Sequence, residues 1–209
     1  MPSEVTGTTA LRLDVPSAPA TRGDEEDLLI ARCLAGDNES FRPLVVRYQR
    51  VVFSVSFRML GSRADAEDVS QQAFVDAYAA LDRFHSDGRK NAFSTWVIRI
   101  AINRCKDVLK SKKRSEEPLE SEVAAPEAMF AHEVRDPEAD LSAARTRALL
   151  ERALLRVPPK YREVLVLKDI EELSYEEIRT VLNLPITTLK IRVVRARAML
   201  RDMLEEHTR

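Results

Sequence analysis

The chain has 209 residues, 44% hydrophobic and 32% charged, with 33 Lys+Arg against 34 Asp+Glu for a formal charge of −1. That length suits one ordinary domain or two small ones; two cysteines without CxxC spacing and three scattered histidines supply neither a disulfide framework nor a metal site. No apolar run approaches the ~20 residues of a membrane span, and the first 24 residues lack the basic start and apolar centre of a signal peptide, so they read as a disordered tail on a soluble cytoplasmic protein.

The near-zero charge averages over segregated blocks. Between Arg89 and Arg114 nine residues are basic and only Asp107 is acidic, whereas between Ser115 and Asp140 nine acids face Arg135 alone. Local charge therefore says more about partners than the overall balance does.

In chain order, Phe41, Leu44, Val45, Tyr48, Val51, Val52, Val55 and Met59 recur at three- and four-residue intervals and predict a long amphipathic helix. Gly61 closes it as a left-handed C-terminal residue would. A second helix is expected from about Ala64 to Phe84, with Val69, Ala73, Tyr78 and Leu81 inward. His85 to Asn91 has turn chemistry. A third helix, about Ser94 to Lys112, should bury Val97, Ile100, Ala101, Cys105 and Val108, and Cys33 and Cys105 both read as buried thiols.

Periodicity then vanishes over Ser115 to Asp140, where Pro118, Pro126 and Pro137 punctuate an acidic linker. Helical signal returns over Leu141 to Val157, stops at Pro158-Pro159, and resumes from Tyr161 to Asp169. Ser174-Tyr175-Glu176-Glu177 is a capping box that opens a two-turn helix through Leu182. Asn183-Leu184-Pro185 turns the chain, and Thr187 or Thr188 can cap a basic helix with Leu189, Val193, Ala196, Leu200 and Met203 inward. Lys190, Arg192, Arg195, Arg197 and Arg201 lie on that helix with no acid before Asp202. A short capped helix, a three-residue turn and a longer basic helix make a helix-turn-helix pattern. No stretch alternates with period two, so the fold class is all-α: two small helical domains, about 25–114 and 141–207, joined by a flexible acidic tether.

Two stretches of the first domain carry opposite chemistry. Asp65-Ala66-Glu67-Asp68-Val69-Ser70-Gln71-Gln72-Ala73-Phe74 is acidic and amide-rich, which suits a basic protein partner but also an ordinary solvated face. Phe93-Ser94-Thr95-Trp96-Val97-Ile98-Arg99-Ile100-Ala101-Ile102-Asn103-Arg104 opens with aromatics and runs into a basic tail. Rings stack on unpaired bases while Arg and Lys hold phosphates, although Phe93 and Trp96 equally suit a core.

In this order, with Gly36-Asp37 to Phe41, Arg47-Tyr48, Leu60-Gly61, Leu154 to Arg162, Leu173 to Ile178 and Arg195-Ala196-Arg197, these blocks resemble the extracytoplasmic-function sigma factors. These are two-domain bacterial transcription initiation factors of the sigma-70 superfamily. The resemblance implies a factor that binds core RNA polymerase, reads the −10 and −35 promoter elements and nucleates strand opening, without enzymatic activity or cofactor. It implies that Asp65, Glu67, Asp68, Gln71, Gln72 and Phe74 dock on the clamp helices of the largest polymerase subunit. It also implies the flap region as a further polymerase contact. It places His85, Lys90, Asn91, Phe93, Trp96, Arg99, Asn103, Arg104, Lys106 and Lys110 on −10 DNA, with the loop from His85 to Asn91 receiving a flipped base. It places Lys168, Thr188, Lys190, Ile191, Arg192, Val194, Arg195 and Arg197 at the −35 element. The linker would thread the polymerase's RNA-exit path, and an anti-sigma factor is an expected partner; the chain itself would not enter a membrane. Four residues depart from the family pattern. Arg179 stands where a small Ala faces the next helix, so its stem should snorkel or the helices should sit further apart. Thr187 replaces Gly, Ile191 replaces Ser, and Val194 replaces an aromatic or bulky residue. The rival reading is a free-standing helix-turn-helix regulator with a helical sensing domain; no constellation of residues suggests catalysis.

Overall fold

A computed structural model describes residues 22–86, 91–114 and 137–208. Among them every regular element is helical: α1 (Arg22–Leu34), a 3-10 turn (Asn38–Phe41), α2 (Arg42–Leu60), α3 (Arg63–Ala79), a second 3-10 turn (Leu81–Arg83), α4 (Ala92–Arg114), α5 (Pro137–Arg156), α6 (Pro159–Leu165), a single π turn (Val166–Ile170), α7 (Tyr175–Leu182) and α8 (Ile186–Thr208). The first helix starts inside the stretch read as tail, with Asp24 and Glu25 in its first turn, where carboxylates suit the helix dipole. Likewise α5 starts at Pro137, four residues into the far end of the predicted linker.

Local signals explain most boundaries. Gly61 takes φ 72° and donates to the Phe57 carbonyl at 2.7 Å, ending α2. Ser62 caps α3 by accepting from the Asp65 amide at 3.3 Å. The predicted continuation of α3 to Phe84 does not occur: the helix stops at Ala79, and the turn that follows drops Leu81 into the core. Tyr78 is also not inward. The buried face of α3 is Ala66, Val69, Ser70, Ala73, Phe74 and Ala77, which puts Tyr78 on the rim. There its ring meets Phe41 edge-on at 5.1 Å and its hydroxyl donates to Asn38 at 2.6 Å.

Two apolar clusters hold the chain together. One joins Ile30 and Cys33 of α1, Leu44, Tyr48 and Val52 of α2, Ala73, Phe74 and Ala77 of α3, and Phe93, Val97 and Ala101 of α4. The second takes Val55, Met59 and Leu60 of α2 and Ile98, Ile102 and Cys105 of α4, and continues without a break into Leu154, Val157, Val164, Leu167, Ile178, Val181, Leu189, Val193 and Ala196. Helix α4 is thus apolar on two faces, one toward its own bundle and one toward the second half of the chain. This explains why Ile98 and Ile102, absent from the predicted stripe, are fully buried while Ile100 and Val108 are only half-buried.

Polar contacts line the seam between the halves. Arg162, with 6% of its surface exposed, donates to the carbonyls of Met59, Leu155 and Val157, so one guanidinium satisfies the open C-terminal ends of α2 and α5. Ser54 donates to Glu171 at 2.6 Å, and Asn91 to Glu177 at 3.0 Å. A Cβ on Gly61 would meet the Leu155 side chain at 2.5 Å, so this glycine is required both for its dihedral and for the close approach of α5.

In the second half, the capping box forms as expected, with Ser174 accepting from the Glu177 amide and the Glu177 carboxylate accepting from the Ser174 amide at 2.8 Å. Asn183 takes φ 52° and closes α7. The next helix begins at Ile186, so Thr187 and Thr188 lie inside its first turn rather than at its cap. Arg179 does not snorkel along the packing surface: it is exposed and pairs with Glu176 at 2.9 Å.

Candidate polymerase and nucleic-acid interfaces

On α3 the acid and amide residues divide into two kinds. Glu67, Asp68, Gln71 and Gln72 are exposed. Glu67 is within an i,i+4 pair with Arg63 at 2.9 Å, and Gln72 donates to Asp76 at 3.3 Å. Asp65 is instead part of the scaffold: its amide donates to the Ser62 hydroxyl and its carboxylate accepts from Lys112 of α4 at 2.5 Å. Burial pulls that carboxyl up, but the bonds from Lys112 and Ser62 outweigh it and hold it below the usual aspartate range. Phe74 is a correction to the sequence reading. It is 7% exposed and packs in the first core, because it lies four residues from Ser70 on the inward face.

Along α4 the predicted −10 set is similarly sorted. Phe93 is 1% exposed and sits among Phe41, Tyr48, Phe84 and Trp96, so it supports the site from beneath rather than stacking on a base. Trp96 is half-buried against Phe84 at 5.0 Å. Arg99, Asn103 and Lys110 are exposed, the last beside Asp107 at 3.6 Å. Arg104 forms a two-pronged pair with Asp76 of α3, one arm at 2.6 Å. The hydrogen bond from Arg104 holds the Asp76 carboxyl low, and the guanidinium is raised in turn. Lys106 Nζ lies 2.7 Å from Glu163 of α6. His85 is exposed with its ring nitrogen 3.0 Å from the Arg83 carbonyl, and Asn91 takes φ 57° at the start of α4. Lys90 lies outside the described residues.

Two grooves border this helix. One, about 700 Å³, is lined by Asp68, Gln72, Asp76, Trp96, Asn103 and Arg104, and so puts acid and amide groups of α3 beside aromatic and polar groups of α4. The other, about 790 Å³, lies between Arg83, His85, Trp96 and Arg99 on one side and Ser174, Glu176, Glu177 and Arg179 of α7 on the other. Helix α7 thus packs beside the part of α4 that carries Trp96 and Arg99.

The predicted −35 residues also separate by partner. Lys190, Ile191, Val194 and Arg195 are exposed on the outer side of α8, and Thr188 is half-buried in its first turn. The Arg195 side chain bonds the Tyr161 hydroxyl and, with nearby Lys160 and Arg192, lowers its pKa. Arg197 is held by Asp169 at 2.5 and 3.0 Å. Arg192 Nη1 donates to Glu163 at 3.1 Å. Lys168 donates to the Leu173 carbonyl at 3.0 Å and lies 5.0 Å from the Tyr175 ring, so in this conformation it fixes the loop before α7.

Glu163 was not singled out from the sequence. Only 2% exposed, it is ion-paired with one cation in each half of the chain, Lys106 and Arg192. Asp76 and Asp169, the partners of Arg104 and Arg197, were missed as well; each stands 28 residues from its arginine, beyond any local pattern. Among the described residues there is no group of His, Cys, Asp and Glu that could hold a metal, and no helix long and apolar enough to cross a membrane.

Two helical units, one with an acid-lined helix beside an aromatic-basic helix and one with a basic helix-turn-helix, define a bacterial sigma factor architecture. The Sigma-70 region 2 family matches residues 44–115, and the Sigma-70 region 4 family matches residues 147–200. The chain is 38% identical over 176 residues to the ECF RNA polymerase sigma factor SigW of Bacillus subtilis, covering 82% of this chain and 92% of that protein. It is 36% identical over 178 residues to the ECF RNA polymerase sigma-E factor of Escherichia coli K12, covering 82% and 90%. Among solved structures, CnrH in complex with the cytosolic domain of CnrY aligns with a TM-score of 0.61 at 29% identity, over 88% of this chain and 99% of that one. RpoE of Bartonella quintana, solved with the anti-sigma factor NepR, shares the fold at a TM-score of 0.58 and 23% identity, over 80% of this chain and 98% of that one. The chain belongs to the extracytoplasmic-function sigma factors of the sigma-70 family. It acts in transcription initiation as an alternative sigma factor, a partner of core RNA polymerase and promoter DNA.

Proposed function

We propose that the two units divide the work of promoter recognition, residues 25–114 binding polymerase and the −10 element and residues 141–207 binding the −35 element. The groove in which Asp68 and Gln72 stand beside Trp96 and Asn103 carries this reading. It puts a surface fit for a basic protein next to one fit for an unpaired base. Glu67, Asp68, Gln71 and Gln72 contact the polymerase clamp, while Asp65 positions α3 through Lys112. Trp96, Arg99 and Asn103 meet the opened −10 strand, with Phe93 as the floor beneath Trp96. Arg104, Lys106 and Lys110 serve the backbone, the first two after release from Asp76 and Glu163. In α8, Lys190, Ile191, Val194 and Arg195 meet the −35 duplex.

The factor works in the cytoplasm, has no enzymatic activity of its own, and is held by an anti-sigma partner. The pairing of the related CnrH with the cytosolic domain of CnrY supports that last reading. The test is in-vitro transcription with core polymerase on a library of randomised promoters. Wild-type protein should yield two conserved elements, and Glu67→Lys with Asp68→Lys should abolish core binding without loss of helicity. Retained core affinity in that double variant, or tight binding of a specific duplex without polymerase, would overturn the division.

A further inference from the structure

The outward face of α8 is not the uniformly basic surface of a helix that only holds phosphates. At 3.6 residues per turn, Thr187, Ile191, Val194 and Ala198 fall on one line, opposite the buried Leu189, Val193 and Ala196. Ile191 is 54% exposed and Val194 67% exposed. Lys190 and Arg201 follow one edge of this line and Arg195 the other, all three exposed. No acid stands in α8 before Asp202.

Single exposed aliphatics need no explanation, but here the rim identifies the occupant. Cations on both edges suit a polyanion and disfavour a basic protein. The line also occupies the first turns of the second helix of a helix-turn-helix, the part that meets base edges in the major groove. There the only apolar group a base pair offers is the C5 methyl of thymine. Isoleucine and valine have no hydrogen-bonding atoms, so pressing them on the amino group of cytosine would strip it of water without an acceptor in exchange.

We propose that Ile191 and Val194 read thymine methyl groups in the major groove of the −35 element, while Lys190, Arg195 and Arg201 hold the flanking phosphates. This rests on the reading that α8 docks at that element. The experiment uses holoenzyme assembled from the full chain and core polymerase. A −35 element is first selected from a randomised pool, and each of its thymines, on either strand, is then replaced singly by deoxyuridine, which removes only the methyl and keeps the pairing. Wild-type holoenzyme should lose about fourfold in affinity at one or more positions, the effect of burying one methyl-sized group. Ile191→Ser or Val194→Ser should bind the thymine and uracil templates alike at the position each side chain covers.

Failure to select any −35 element would sink the docking reading itself. An element that is selected but contains no thymine, or whose thymines all tolerate uracil with wild-type protein, overturns only the methyl-reading proposal. So does uracil discrimination that survives both serine substitutions, and weakened core affinity in those same variants would mark the strip as a protein contact. The wild-type arm needs no variant to fold.

Discussion

Glu163→Gln is the sharpest perturbation of the seam, because it removes one charge that two cations share and keeps the side-chain volume. The carboxylate is 2% exposed, with Lys106 Nζ at 2.7 Å and Arg192 Nη1 at 3.1 Å. Removing one partner of a fully buried ion pair costs about 3–5 kcal/mol, whereas a fully exposed pair is worth about 0.2–1 kcal/mol. Here the anion is buried, but the Lys106 side chain is 34% exposed and that of Arg192 26%, so water takes up part of the loss. The amide also keeps one acceptor. An intermediate cost of about 2 kcal/mol follows. With a urea slope of ~2 kcal/mol per molar, the unfolding midpoint should fall by about 1 M. A double-mutant cycle with Lys106→Met assigns the origin: in that background the glutamine change should cost about 1 kcal/mol less, since one stranded cation is gone. If Glu163→Gln shifts stability by under about 0.5 kcal/mol, the range of ordinary surface changes, the seam does not depend on this carboxylate and the reasoning fails.

Three further outcomes are expected. Ile98→Ala, at a fully buried position between the halves, should cost about 2–5 kcal/mol, and the variant should still unfold in a single urea transition; a first transition confined to α5–α8 would show that the halves do not share a core. Burial pushes the Cys105 thiol up to about 12, so it should resist thiol reagents at neutral pH. Because the folded value lies above that of the unfolded chain, its share of stability is complete below pH ~9 and lost as pH rises from ~9 toward 12; Cys105→Ala should flatten that decline, and an unchanged slope would discount the burial. Asp65→Asn should lower thermal stability by removing the negative charge that pairs with Lys112, whereas Asp68→Asn should weaken core binding and leave the melting temperature in place; equal melting temperatures for the two would erase the distinction between scaffold and contact on α3.

Features with a local cause were legible in the sequence. Gly61, the Ser174–Glu177 capping box and the Leu189–Val193–Ala196 stripe each depend on neighbours within a turn or two, and each stands where expected. What could not be read depends on distant partners. The burial of Ile98 and Ile102 requires knowing that α4 has a second partner. The loss of Arg104 and Arg197 to Asp76 and Asp169 needs the helix packing. The family motif named Phe74 and Phe93 as members of the site, and both are near its surfaces. It carried no information on whether their rings face outward, and the packing of α1–α4 turns both into the core.

The core that runs from Met59 to Leu167 also changes what the covalent tether between residues 114 and 137 is for. Two helical fragments that share buried leucines, isoleucines and an arginine bonded to carbonyls on both sides of the seam have a docking surface of their own. Each buried aliphatic side chain is worth roughly 1.5–3 kcal/mol when withdrawn from water. A protease nick inside 115–136 should therefore leave a bimolecular complex, the pieces eluting together until diluted. The tether then acts as a concentration device. It decides how readily the halves find each other again after separation, and a factor cut there would become sensitive to its own abundance in the cell.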